Sequence, residues 1–176
     1  MERATRSAKD KLVVFIAEGF GAGRIPFAPG TFGTLVGFAW IYLLLLPRSL
    51  PLYIAGIIFG FFAAVYIGEC AEKILKKKDP GSIVIDEITA MPLAFFPAVI
   101  LTKTSALPLA PSEFFTKKLF ILPLLAFVLF RIFDVIKPLG IARIQKAPGG
   151  WGLVLDDYLA ALATAVILAL FISVAG

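Results

Sequence analysis

Five of the 12 acidic residues of the chain stand inside long apolar runs, and their side chains are the best candidates for chemistry. They form an adjacent pair, a single aspartate and a second adjacent pair: Asp86, Glu87, Asp134, Asp156 and Asp157. A charged carboxylate in an apolar helix costs several kcal/mol unless it is paired, hydrated or metal-bound. Because the chain has no histidine and one cysteine, convergent carboxylates would form an oxygen-donor site suited to Mg²⁺ rather than zinc or copper.

Basic residues and glycine-rich segments near these acids could bind a phosphate group. Arg131 and Lys137 lie three residues before and after Asp134. Three segments add further donors: Gly30, Thr31 and Thr34 in IPFAPGTFGT, Ser82 in DPGSIVIDE, and Gly150 in APGGWGLVLDD. Hydroxyls and free N–H groups at a helix start can hold an anion, and Ser82 is expected to cap the helix of Asp86. Together these residues indicate metal-assisted phosphoryl chemistry.

Simpler interpretations of the same residues stay open. The acids could form separate ion pairs, with Asp134 bound to Arg131 or Lys137 on its own helix face. Adjacent residues of a helix point about 100° apart, so Asp86 and Glu87 are not expected to face one ion without strain. Glycines before a helix also commonly mark only a turn.

Composition indicates an integral membrane protein. Hydrophobic residues make up 60% of the 176 residues and charged residues 16%, and a domain of this size cannot bury so much apolar surface. The apolar stretches have the length of membrane spans and predict an all-α fold, a compact bundle of about five transmembrane helices. The predicted spans are 33–47, 51–70, 83–101, 119–136 and 153–174. Residues 5–20 predict an N-terminal amphipathic helix in the interface.

The distribution of basic residues predicts the orientation of the bundle. If the N-terminus is cytoplasmic, all but four of the 17 lysines and arginines fall at the inside, which gives an N-in, C-out arrangement. The five acids then share a depth near the cytoplasmic boundary, on three helices. The other acids, Glu18 among them, are expected to be solvated. The positive charge favours a membrane surface over nucleic acid as partner.

Four sequence blocks resemble the phosphatidylglycerophosphatase A family: GFGAGRIPFAPGTFGTL (19–35), GSIVIDE (81–87), FRIFDVIKP (130–138) and GGWGLVLDD (149–157). Their order and spacing resemble the family from near the N-terminus to the last span, so the resemblance extends over nearly the whole chain, which departs from the family pattern at Ala90, Gly140 and Ala161. The resemblance implies one membrane-embedded domain, 1–176, that hydrolyses phosphatidylglycerophosphate to phosphatidylglycerol and phosphate with Mg²⁺ as cofactor. It makes the five acids the metal and catalytic set, of which Glu87 is a metal ligand only, with Arg131 and Lys137 as its basic residues.

The chemical step itself has two possible forms. Metal-activated water could attack the phosphorus in line, with the metal held by Asp86, Asp134 and Asp156 and with Asp157 as a further ligand. Alternatively, Asp86 or Asp157 could act as a nucleophile and form an aspartyl phosphate.

Two other classes of protein are weighed against this phosphatase. A cation transporter would carry its acids near the bilayer midplane in related halves, and a non-catalytic membrane scaffold would leave the acids without a role. The expected partners are the lipid substrate and membrane lipids. The expected location is the bacterial inner membrane, with several passes and a cytoplasm-facing site, and no obligate protein partner is inferred.

Overall fold

All regular secondary structure in the described part of the chain is helical. A computed structural model describes residues 7–101, 110–115, 120–137 and 147–175. These ranges contain no strand, and two short 3₁₀ helices, Gly19–Arg24 and Pro111–Phe115, accompany the α-helices. The α-helices are α1 (Ala8–Ala17), α2 (Pro29–Leu45), α3 (Leu50–Leu75), α4 (Ile85–Leu101), α5 (Ile121–Ile136) and α6 (Gly150–Ala175). The all-α prediction is therefore confirmed for these residues.

Helices α2 to α6 coincide with the five apolar stretches that the sequence predicts as spans. Each end of these helices agrees with the predicted end of its span within five residues. Residue 119 lies outside the described ranges, as do several of the lysines and arginines from which the orientation is predicted. Helices α3 and α6 are long and apolar enough to cross a membrane, and α2 is a shorter apolar helix. Crossing by all five helices and the N-in, C-out orientation stay predictions.

The N-terminal helix is shorter than the predicted 5–20, of which residues 5 and 6 lie outside the described ranges. It starts with a capping box, in which the Ser7 hydroxyl accepts from the Asp10 N–H and the Asp10 carboxylate accepts from the Ser7 N–H. After Glu18 the backbone adopts positive φ angles, including 58° at Phe20. A regular helix therefore cannot continue to residue 20. The placement of α1 in the membrane interface stays a prediction.

Helix α4 forms the centre of the bundle, and α2, α3 and α6 pack against it. Glycines on the neighbours allow this close approach: a Cβ at Gly37 would lie 2.7 Å from Met91, and one at Gly60 would lie 3.3 Å from Thr89. Small residues let helix backbones come together in this way in membrane proteins. Most of α4 is buried as a result, including its first acid, Asp86.

Two tyrosine hydroxyls fix the neighbours of α4 in register. The Tyr53 hydroxyl on α3 donates to the Pro92 carbonyl at 3.0 Å, and the Tyr158 hydroxyl on α6 donates to the Thr89 carbonyl at 2.8 Å. Tyr158 directly follows Asp157 in the chain. The second hydrogen bond therefore holds Asp157 at the height of the first turn of α4.

Candidate functional site

The acidic residues that the sequence singles out meet at one end of the bundle. The first turns of α2 and α4, the second turn of α6 and the last turn of α5 come together there. Each of these turns carries one or more of the predicted residues, so residues far apart in sequence form one site.

Three carboxylates form the centre of this site. One oxygen each from Asp86, Glu87 and Asp157 lies within 4.8 Å of the others. Asp86 and Asp157 are buried, with exposed fractions of 5% and 4%. Three oxygens at this spacing can bind one cation together. We refer to these three residues as the carboxylate cluster.

Asp86 and Glu87 bring carboxylate oxygens together although they are adjacent residues of one helix. Asp86 turns its carboxylate back so that one oxygen accepts the Glu87 N–H at 3.1 Å. The side chain of Glu87 is one methylene longer, and its extra length spans the angle between adjacent helical positions. Oε2 of Glu87 is buried and has no hydrogen-bond partner among the described residues. A buried carboxylate oxygen without a partner is what a bound cation would satisfy.

Arg131 and Asp134 connect α5 to the carboxylate cluster. Nη1 of Arg131 lies 2.6 Å from an Asp134 oxygen and 3.9 Å from Oε1 of Glu87. The expected ion pair on one helix face is therefore present. Asp134 also lies within side-chain hydrogen-bonding reach of Asp157. Asp134 thus belongs both to an ion pair and to the larger acidic group.

Lys137 pairs with Asp156 rather than with Asp134. Its ammonium forms an ion pair with the Asp156 carboxylate, whose side chain is 4% exposed. Burial of the ammonium lowers the pKa of Lys137, but the hydrogen bond and charge of Asp156 outweigh burial and raise this pKa above its usual value. Lys137 consequently stays charged and holds α6 against the end of α5.

The start of α2 contributes Gly30 to the site. A Cβ at this position would contact Oε1 of Glu87 and would lie 2.9 Å from Nη1 of Arg131. The residue before the helix, Ala28, adopts a left-handed conformation and provides no side-chain cap. Because Pro29 has no N–H and the Thr31 N–H donates to the Ala28 carbonyl, the Gly30 N–H is the donor of this helix start that lies near the guanidinium, a favourable place for an anion.

We expect the replacement of Gly30 by alanine to lower activity by about tenfold to a hundredfold, because the added methyl displaces Glu87 and Arg131 from their positions. Thermal unfolding should change little, since alanine is the better helix former. The matched control is Gly81→Ala, where a Cβ meets nothing within 4 Å. A Gly30→Ala variant with full activity would show that this space is not used.

Two threonines predicted for phosphate binding lie on the same helix. Thr31 is half-buried in the first turn, with its N–H donating to the Ala28 carbonyl at 2.9 Å. Thr34 is fully buried, and its hydroxyl donates to the Gly30 carbonyl at 2.8 Å. Thr34 therefore supports the backbone around Gly30 from within the helix.

Ser82 does not cap α4, and Gly150 packs against α3. Helix α4 begins at Ile85, so Ser82 lies too early in the chain to cap it, and that expectation is wrong. Gly150 packs against α3, where a Cβ would overlap the Val65 carbonyl. Its missing side chain thus lets the start of α6 approach α3.

An ion pair that sequence reasoning missed braces the segment before α2. Glu18 is 7% exposed, and its carboxylate accepts from Nε of Arg24 at 2.6 Å. Its main-chain carbonyl also accepts the N–H groups of Gly21 and Gly23. The expectation of a solvated Glu18 is wrong, because the chain folds back over it. The available signal was a pair of opposite charges on either side of a glycine-rich turn.

The known proteins that this chain resembles are named as phosphatases of phospholipids. Residues 15–172 match the family model described as phosphatidylglycerophosphatase A. Phosphatidylglycerophosphatase A of Escherichia coli is 32% identical, covering 87% of this chain and 79% of its own length. The Haemophilus influenzae protein of the same name is 29% identical, with 86% and 83% covered. A Bacteroides thetaiotaomicron protein, provisionally named phosphatidylinositol-3-phosphatase, is 32% identical, with 90% and 92% covered. No solved structure matches the chain.

Proposed function

Because the chain belongs to the phosphatidylglycerophosphatase A family, we propose that it hydrolyses phosphatidylglycerophosphate to phosphatidylglycerol and inorganic phosphate. Membership implies a phosphatase that acts on a phospholipid. The observation that carries the proposal is the buried carboxylate cluster beside Arg131. Carboxylates are ligands for a metal and arginine is a ligand for phosphate, so one site contains both kinds of group that phosphoryl transfer needs.

Mg²⁺ is the cofactor that we propose for this site. Asp86, Glu87 and Asp157 offer only carboxylate oxygens, which are the hard ligands that Mg²⁺ prefers. The unpartnered Oε2 of Glu87 supports a cation at this place. Asp134 and Asp156 complete the proposed acidic set, the first beside Asp157 and the second in its ion pair with Lys137.

In the proposed reaction, water attacks the phosphorus in line, the bond between phosphorus and the glycerol oxygen breaks, and a proton from the water passes to the departing glycerol oxygen. Bound Mg²⁺ would supply positive charge for the phosphoryl oxygens and acidify the attacking water. Arg131 would bind phosphoryl oxygens through the N–H groups that do not face Asp134, together with the backbone N–H of Gly30. A nucleophilic role for Asp86 or Asp157 is the alternative route to the same products.

We place this site at the cytoplasmic leaflet of the bacterial inner membrane, in a bundle that crosses the bilayer several times. The outer face of α3 supports a lipid environment, because large apolar side chains there are more than half exposed: Ile58, Phe59, Phe62 and Tyr66. A phospholipid substrate keeps its acyl chains in the bilayer while its phosphate stays in the interface. Acids at the ends of helices can therefore reach the phosphate without extraction of the lipid.

The test is phosphate release from phosphatidylglycerophosphate by the purified protein with Mg²⁺. We expect turnover by the wild type and an about tenfold to hundredfold loss in Asp134→Asn, because this residue supports both Arg131 and Asp157. The matched control is Asp79→Asn, since Asp79 is exposed and its φ of 46° suits asparagine.

The same assay separates the alternatives. Phosphatidylinositol 3-phosphate serves as a second substrate, because it tests the activity for which the Bacteroides relative is named. A transporter or a scaffold would release no phosphate from either lipid. Absence of release by a folded wild type, or equal rates in Asp134→Asn and Asp79→Asn, would contradict the proposed function.

A further inference from the structure

An apolar groove runs between α2 and α5 on the outside of the bundle. Leu35, Phe38 and Tyr42 line it from α2, and Leu124 and Phe127 line it from α5. Its volume is about 410 Å³, which is within the usual range for small-molecule sites. The lining is almost entirely apolar, so its occupant must be apolar as well.

The packing of the bundle explains why the groove exists. Helix α2 packs mainly against α4, and α5 packs mainly against α6, so α2 and α5 contact each other little. Positions 35, 38 and 42 follow helical spacing and share one face of α2. The rings of Phe38 and Phe127 approach to 6.5 Å between centroids and bridge the two helices. The groove is thus a seam that stays open between two elements held by different partners.

The groove begins close to the candidate site. Arg131 follows Phe127 by four residues on α5, and Gly30 precedes Leu35 by five residues on α2. At 1.5 Å per residue, its near end lies about 6 to 8 Å along the helices from Arg131 and Gly30. Tyr42, at the far end, lies about 18 Å along α2 from Gly30, close to the roughly 15 Å depth of one leaflet.

We propose that this groove binds one acyl chain of the phospholipid substrate while the phosphate lies at Arg131 and Gly30. The inference rests on the proposed function and adds to it the way in which the lipid is held. A lipid phosphomonoester needs a charged end and an apolar channel of leaflet length in line with it. The seam between α2 and α5 lies in line with the site, because its lining is apolar and Arg131 and Gly30 follow beyond its near end on the same two helices.

The test compares a substrate with acyl chains and a substrate without them in a variant with a blocked groove. In Leu124→Trp the added ring fills the middle of the seam. We expect kcat/KM for dioleoyl-phosphatidylglycerophosphate to fall by about tenfold or more, because the indole ring and an acyl chain cannot occupy the same part of the groove. For the deacylated substrate, which has no acyl chain to enter the groove, we expect a change of less than about twofold.

The matched control is Ile121→Trp on the same helix. Ile121 is 48% exposed and Leu124 is 47% exposed, but Ile121 does not line the groove. A second readout uses phosphatidylglycerol with a photoreactive group near the end of one acyl chain. We expect it to label peptides of α2 and α5 in the wild type and in Ile121→Trp, and to label them less in Leu124→Trp.

The outcomes separate this inference from the proposed function. A wild type that hydrolyses neither substrate but is labelled in the groove would refute the phosphatase and retain the lipid site. Equal losses on both substrates, equal effects of Leu124→Trp and Ile121→Trp, or labelling confined to other helices would each overturn the acyl-chain groove.

Discussion

Replacement of Asp157 by asparagine is expected to lower phosphate release by about a thousandfold or more, because a bound metal ion supplies several kcal/mol of transition-state stabilisation and each ~1.4 kcal/mol is a factor of ten. Asparagine keeps the shape of the side chain but removes its charge. Asp157 is buried and is the member of the carboxylate cluster that comes from α6. Its loss would leave Asp86 and Glu87, adjacent residues of one helix, as the remaining ligands of the cluster.

Stability should change in the opposite direction. With no metal bound, three carboxylates within 4.8 Å of one another repel, and burial strengthens that repulsion. We therefore expect Asp157→Asn to unfold at the same or a higher temperature than the wild type in the presence of a chelator. A variant whose activity and unfolding temperature fell together would indicate that Asp157 is a structural residue.

Removal of divalent cations is expected to abolish activity. Treatment of the purified protein with EDTA should reduce phosphate release to background, and Mg²⁺ or Mn²⁺ should restore it, because both are bound by oxygen ligands. Mg²⁺ should also raise the unfolding temperature of the wild type by mass action, but not that of Asp157→Asn. Full activity after exhaustive chelation would contradict the metal-assisted reaction.

The positions of the helices could be predicted from sequence because the physical signal is local. Apolar runs long enough for spans are separated by prolines, glycines and charges, and α2 to α6 follow them closely. The approach of Asp86 and Asp157 could also be predicted. Each residue lies near the predicted cytoplasmic end of its own span, and that position can be read from each span separately. The unfavourable placement of charge inside apolar helices identifies these residues.

Contacts between helices could not be predicted in the same way. Lys137 is close in sequence to Asp134 yet pairs with Asp156 on α6, because the choice depends on the rotation of two helices about their axes. Glu87 joins the cluster through the length and folding of its side chain. Burial of Glu18 depends on a backbone reversal after α1 that helical periodicity does not reveal.

The roles of the glycines were also set by packing. Gly30 and Gly150 both precede acids or open helices and are similar as sequence signals. In the structure Gly30 leaves space beside Glu87 and Arg131, whereas Gly150 makes room for the Val65 carbonyl. The difference arises from what lies opposite each residue, which only the folded bundle determines.

Direct measurement of metal binding tests the central claim, that Asp86, Glu87 and Asp157 hold a divalent cation, most directly. Titration of the purified protein with Mn²⁺, followed by the electron paramagnetic resonance signal of the free ion, should show saturable binding that Mg²⁺ displaces. The same titration of Asp157→Asn, with helical content verified by circular dichroism, should show that this binding is lost. Unchanged Mn²⁺ binding in Asp157→Asn, or none in an active wild type, would contradict the account.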